Sequence, residues 1–407
     1  MSSARASIPA HVPAELVRSF NFWSAPGMKP EAGGDPHAAL ASLRDHPRIF
    51  YSARNTAEGY GTWVLTRAED MRQVLQDAQT FSSDRKLFSP MVGEDWPLVP
   101  LEIDPPAHTK FRMLLNPMFS PKRMQAMQEG IRARAVALIE ALRERGECDF
   151  MQEFAFPFAV SVFLQFLGLP QERMPDFMLW AEQTLHGADG ATRIAGGTAI
   201  VGFLRELFDL RRRAPTDDFA SFLLSSKVDE RALNEHELLG MGVLVFIAGL
   251  DTVAAALGFD FNHLAMHPEA QAQLRKHPER IANAAEEMLR AFSTVHMVRV
   301  AKKDVELHGV TVKAGDRVSC ATMIANRDPQ EFENPDSVDF SREVNRHVAF
   351  AYGPHRCVGS HLARREVIIG LEEWLRRVPP FRIKDGTKPT THGGTVFGIE
   401  GLMLAWS

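Results

Sequence analysis

The chain is 407 residues long, 45% hydrophobic and 24% charged, with a formal net charge of -5, a composition that fits a folded globule and gives no reason to invoke nucleic acid. Its three cysteines, Cys148, Cys320 and Cys357, lie far apart, which excludes a disulfide framework or zinc cluster and fits a reducing, cytoplasmic setting. The length could hold two or three domains, yet no linker or charge block divides it, so the expectation is one domain over 36–407 after an irregular segment over 1–35.

That first segment is punctuated by Pro and Gly, has neither a long apolar stretch nor an anchor helix, and is expected to wrap the surface. Periodicity then predicts a short helix over 36–45, β-like runs over 48–52 and 62–66, and a helix over 67–76. Residues 81–103 carry Pro90, Pro97 and Pro100 and show no period; a long irregular stretch inside a domain is usually functional. Helices are predicted over 106–116, 121–145, 153–167, 171–185 and 191–213, with a short one over 217–226. A long helix over 234–266 follows, then helices over 269–276 and 280–292, a β-like stretch over 295–320, and a loop rich in Pro and Asp. Residues 238–258 are nearly long enough to span a bilayer, but Asp251 and several glycines favour a buried central helix.

The stretch FAYGPHRCVGSHLARR, from Phe350, places Cys357 in a loop that feeds a helix. Free N–H groups and the positive end of the dipole stabilise a thiolate there, and glycines let backbone approach whatever the sulfur binds. A buried structural cysteine is the commoner fate of a lone Cys. The spacing Phe350-x-x-Gly353-x-x-x-Cys357-x-Gly359, however, is similar to the haem-binding loop of the cytochrome P450 family, and the chain resembles that family. The resemblance implies a mainly α fold with small β sheets around a long central helix. It also implies haem b with Cys357 as its metal ligand, Phe350 and Gly359 against the cofactor, and dioxygen as co-substrate. Thiolate ligation pushes electron density towards the iron and favours O–O cleavage.

Other motifs fit the resemblance. In Ala248-Gly249-Leu250-Asp251-Thr252 a carboxylate in an apolar run is costly unless paired or used, and Thr252 can bond back to the Ala248 carbonyl and bend the helix. The residues alone allow a kinked core helix with a paired Asp; the resemblance implies that Asp251 and Thr252 deliver protons. Glu287 and Arg290 share a helix face at i,i+3, and the family pattern implies a buried network with Arg342 that holds the cysteine loop. His108 and Arg112 share a face at i,i+4, and the resemblance implies that they bind the haem propionates with Arg299 and His355. Arg342, Arg346, Arg356, Arg364 and Arg365 cluster around the cysteine; such a patch suits an acidic electron donor. The resemblance implies a 2Fe-2S ferredoxin fed by an NADH-dependent reductase, with Arg112 and Arg364 at the docking surface of a monomer.

Segments such as AGLDTV, HPERI, ELHGV, VDFSR and HLARREVI resemble the camphor-hydroxylase branch of the family. Trp96 stands where that branch has a ketone-binding tyrosine, and Met297 where it has an aspartate. Leu98, Leu101, Leu185, Leu244 and Ile247 are expected at the pocket wall, and so are Ala248, Val295, Thr395 and Val396. An apolar wall selects by shape and discriminates poorly against an added hydroxyl. A small terpenoid or norisoprenoid, ionone-like or cineole-like, is therefore the expected substrate ahead of camphor. A peroxide-driven peroxygenase and a haem-thiolate sensor are the other readings; neither needs the acid–alcohol pair at 251 and 252.

Overall fold

The computed structural model describes residues 8–22, 36–55, 60–84, 89–187 and 189–407. Within the segment 1–35, the described part includes the strand Val17–Arg18, which pairs in parallel with Ile49–Ser52, so it adds an edge to a sheet. Helices carry most of the chain: α1 (Pro36–Ala41), α2 (Ala68–Gln76), α3 (Ala107–Leu115) and α4 (Pro121–Leu142) come first. The middle is α5 (Phe156–Leu167), α6 (Met174–His186), α7 (Gly190–Arg213) and α8 (Phe219–Ser225). The second half holds α9 (Glu235–Leu250), α10 (Thr252–Met266), α11 (Pro268–Lys276), α12 (Ile281–Ala291), the one-turn α13 (Thr322–Ala325) and α14 (Ser360–Arg377). Proline opens the first turn of α4, α5, α6 and α11, where its missing N–H costs nothing and its fixed φ suits the helix.

The helix expected over 234–266 is two helices. Asn234 starts α9 with a reciprocal capping box to Glu237, but the ladder breaks at Asp251, whose φ of -96° and ψ of -41° separate α9 from α10. The Thr252 hydroxyl donates to the Ala248 carbonyl at 3.0 Å, a side-chain bond that competes with the backbone ladder and bends the helix. The stretch Glu235–Met266 is long and apolar enough to cross a membrane, yet 78% of its most apolar window is buried inside the protein. It is the central helix of the fold.

The largest sheet has six strands in the order Val17–Arg18, Ile49–Ser52, Thr62–Leu65, Arg317–Ala321, His296–Ala301 and Phe81–Ser82. The β-like stretch over 295–320 contributes its two inner strands, paired antiparallel with Met297 opposite Cys320 and Arg299 opposite Val318. An isolated bridge joins Val295 to Val396, which brings the C-terminal loop against the same wall. In the core, Trp374 of α14 is fully buried; its ring centroid lies 5.1 Å from Phe150, 5.0 Å from Phe154 and 5.4 Å from Phe261. Aromatic edge-to-face contacts of this kind add to area burial. They fix α14, and with it the loop that carries Cys357.

Candidate active site

Gly353 sets the shape of the cysteine loop. Its φ is +72°, and a Cβ there would lie 2.4 Å from the Leu75 carbonyl oxygen, so only glycine fits. The Arg356 N–H donates to the Gly353 carbonyl at 3.0 Å and the Cys357 N–H to the Phe350 carbonyl at 2.9 Å, which folds the loop back before α14 begins. Gly359 caps α14; a Cβ on it would sit 3.9 Å from the Cys357 sulfur and 4.0 Å from Phe119, within the space beside the thiol. Burial raises the Cys357 thiol pKa, opposed by the Gly359 N–H and by the positive charges of Arg112, Arg356 and Arg364.

Cys357 opens into a cavity of about 1020 Å³. Thr252, Asp251 and Ala248 line it from the α9–α10 break, and Phe350 and Gly359 from the loop. Behind the break the helix packs closely on Phe163, since a Cβ on Gly249 would lie 2.7 Å from that ring. His108, Arg112, Arg299 and His355 all reach the same cavity. The rings of His108 and His355 are 4.2 Å apart. His108 is buried and neither of its ring nitrogens has a hydrogen-bond partner; burial, then the charge of Arg112, pushes its pKa down to about 4. Arg299 is buried too, with Nη1 donating to the Val298 carbonyl at 3.1 Å, while Arg112 Nε donates to Asn116 at 3.0 Å. Among the described residues neither arginine forms an ion pair with a carboxylate, though the charge of Asp104 acts on Arg299. Two guanidiniums without a carboxylate ion pair and an orphaned imidazole facing one cavity call for anionic groups from outside the chain, and the two propionates of a haem would meet that need.

Leu98, Leu101, Leu185, Leu244, Ile247, Val295, Met297, Thr395 and Val396 line the cavity as expected. Trp96 does not. Its indole is buried against α9, 6.4 Å from the His236 ring, and its N–H donates to Glu94 at 3.0 Å. Glu94 is held in turn by Arg205 of α7 at 3.1 Å, so the polar atom of Trp96 is satisfied away from the cavity.

The Glu287–Arg290 pair is fully buried, in contrast to the usual exposed i,i+3 pair. Glu287 accepts from Arg290 at 2.7 and 2.9 Å, from Arg342 at 3.0 Å, from Asn345 at 3.1 Å and from the Asp339 N–H at 2.9 Å. Arg290 also donates to the carbonyls of Asn326, Pro335 and Ser337, which ties α12 to the segment leading into the cysteine loop. Arg364, expected on an outward basic patch, is turned inward: its guanidinium lies 4.5 Å from the Phe350 ring centroid and donates to Glu286 at 2.9 Å. Of the five clustered arginines, Arg346 and Arg356 are the exposed ones.

Several cavity residues escaped the sequence reading, among them His186, His392 and Glu366. His186, the last residue of α6, meets Asp251 at 3.1 Å across 65 positions, and no local pattern announces such a contact. His392 lies beside His186, their rings 5.0 Å apart. Glu366 of α14 is buried with Oε2 unpartnered, and burial alone raises its pKa well above the carboxylate range.

A sequence model described as cytochrome P450 matches residues 199–400. The chain is 53% identical to the probable cytochrome P450 127A1 of Sinorhizobium fredii over 98% of its length and 97% of the relative's. It is 33% identical to cytochrome P450 107B1 of Saccharopolyspora erythraea over 86% and 89% of the two chains. Among solved structures, CYP101C1 superposes with a TM-score of 0.89 at 34% identity, covering 98% of this chain and 100% of that one. CYP101J2 does so with 0.88 at 30%, covering 98% and 99%. With a cysteine sulfur, two arginines and a polar helix break around one cavity, the chain belongs to the cytochrome P450 family, as a monooxygenase that binds haem b.

Proposed function

We propose that the enzyme hydroxylates a small hydrophobic terpenoid or norisoprenoid, ionone-like or cineole-like, with electrons passed from NADH through a reductase and a 2Fe-2S ferredoxin. The observation that carries the substrate reading is the wall. Leu98, Leu101, Leu244, Ile247, Val295 and Val396 line the cavity, and the Trp96 N–H is engaged by Glu94, so a ligand in this region is held by shape. Camphor remains the second reading, because the chain resembles the camphor-hydroxylase branch in sequence.

Haem b, when bound, supplies the redox-active iron at which dioxygen is activated. Cys357 would ligate it, Arg112 and Arg299 would neutralise its propionates, and His108 and His355 would orient them by hydrogen bonding. The apolar wall excludes water from the substrate side and holds one C–H bond towards the reacting centre. Thr252 presents its hydroxyl at the helix break, where Ala248 accepts its hydrogen bond, and Asp251 brings protons to it from the α6 side. A peroxygenase or a sensor would have no use for that pair. Arg356, next to Cys357 in the chain, and Arg346 remain exposed as charges for an acidic donor.

The test is a panel of ionones, cineoles and camphor, scored by the shift of haem spin state and by product formed per NADH with ferredoxin and reductase. Ionone-type or cineole-type ligands should shift the spin state more completely than camphor. Tighter binding and better-coupled turnover of camphor would overturn the substrate assignment.

A further inference from the structure

We propose that His186, backed by His392, is the positioning residue that holds the Asp251 carboxylate and resupplies its proton, so that an imidazole governs proton delivery into the cavity. This rests on the reading of Asp251 as the group that brings protons to Thr252.

The geometry comes first. His186 Nε2 lies 3.1 Å from Asp251 Oδ1, and the side chains are 30% and 7% exposed respectively. Asp251 stands at the N-terminus of α10, yet its carboxylate makes no capping bond to that helix; its acceptor faces His186 instead. A proton bound for Asp251 therefore has an accessible neighbour through which to arrive. His186 ends α6, where the negative end of the helix dipole favours an imidazolium.

The surrounding charges fall on both sides. From the C-terminal strands come the His392 ring, 5.0 Å away, and Glu400; from α6 itself comes Glu182; from the start of α7 comes Arg193, whose Nε donates to the Gly187 carbonyl at 2.9 Å. His392, Glu400 and Arg193 line the same cavity as His186. Burial lowers the His186 pKa, but the hydrogen bond and charge of Asp251, with Glu400 and Glu182, outweigh it and leave the value raised. Burial and the charge of His186 hold His392 down, so the two imidazoles shift in opposite directions. For Asp251, burial is outweighed by His186 and His392, and its pKa is lowered. Both partners thus favour their charged forms.

Delivery balances as follows. The proton on His186 Nε2 moves to Asp251 Oδ1 along their hydrogen bond, giving a transiently neutral pair. Asp251 releases a proton towards Thr252, and His186 takes one from water. One proton enters at His186 for each that leaves Asp251. As pH rises through the His186 pKa, above the ordinary value of about 6.5, the donor is lost and product formation should fall.

The experiment follows histidine side-chain nitrogens by NMR in the diamagnetic ferrous carbon-monoxide form, alongside product per NADH between about pH 6 and 9. One imidazole should titrate above about 6.5, vanish in His186→Gln, and move downward in Asp251→Asn. Wild-type coupling should fall with the same midpoint, and His186→Arg, which keeps the charge but gives up no proton, should be slower and flat across the range. A His186 titration insensitive to Asp251→Asn, or a wild-type pH profile retained in both His186 variants, overturns the proposal. If Asp251→Asn slows turnover while those profiles persist, only the histidine relay falls; if Asp251→Asn turns over normally, the reading beneath it falls as well.

Discussion

Thr252 shows what one hydroxyl does at a helix break. Its bond to Ala248 bends the helix, and its position in the cavity wall gives that hydroxyl access to the reacting space. In Thr252→Ala the helix should survive, since Ala is the better helix former, and ligand binding and electron uptake should persist. Product per NADH should drop by about an order of magnitude or more, with the balance appearing as hydrogen peroxide; unchanged coupling would assign the proton step to another group. Glu286 makes a different point at the same scale. Burial raises its pKa, but hydrogen bonds from His347 and Arg364 pull it down to about 2. A carboxylate depressed on folding contributes stability that is present above its unfolded value and lost as pH falls through its folded one. The stability difference between wild type and Glu286→Gln should therefore be constant above about pH 5 and shrink between about 4.3 and about 2, as read by denaturant titration. Cys357 and Asp251 were legible because each breaks a local rule, a cysteine between glycines and a carboxylate in an apolar run, and Thr252 because it adjoins that carboxylate. His186, His392 and Glu366 were not, because a contact across 65 positions, or the burial of one carboxyl on an amphipathic helix, leaves no mark on its neighbours in sequence.

Among the elements, helices were read well wherever period and proline agreed, as for α4 and α11. The continuous helix over 234–266 was misjudged in one respect, since its apolar run is unbroken while its backbone is not. Trp96 was misplaced for a related reason. The segment around it lies on α9 at Gly240, where a Cβ would meet the Pro97 carbonyl oxygen at 2.6 Å, and this close approach turns the indole to Glu94 and His236. Which way a side chain leaves an irregular segment depends on what it packs against, and periodicity carries no such information. The α12 network shows the opposite case, a short motif whose partners give it meaning. Removing Glu287 as Glu287→Ala would leave Arg290 and Arg342 without their shared carboxylate, and breaking a buried pair from one side costs about 3–5 kcal/mol. The unfolding midpoint and haem retention should both fall markedly, whereas a variant with wild-type stability would show that the carbonyl bonds of Arg290 suffice.

At the scale of the whole molecule, the aromatic cluster around Trp374 fixes α14, the six-stranded sheet places Arg299, and the α9–α10 break lines the same cavity. The cavity is where these three meet. Its use as a haem site rests on a single sulfur, and the most direct measurement is the absorption spectrum of the ferrous carbon-monoxide complex of the wild type and of Cys357→His. The wild type should show the strongly red-shifted Soret band of thiolate ligation, and Cys357→His should bind haem without it. Retention of that band in Cys357→His would contradict the account, because no other side chain lining the cavity offers a thiolate.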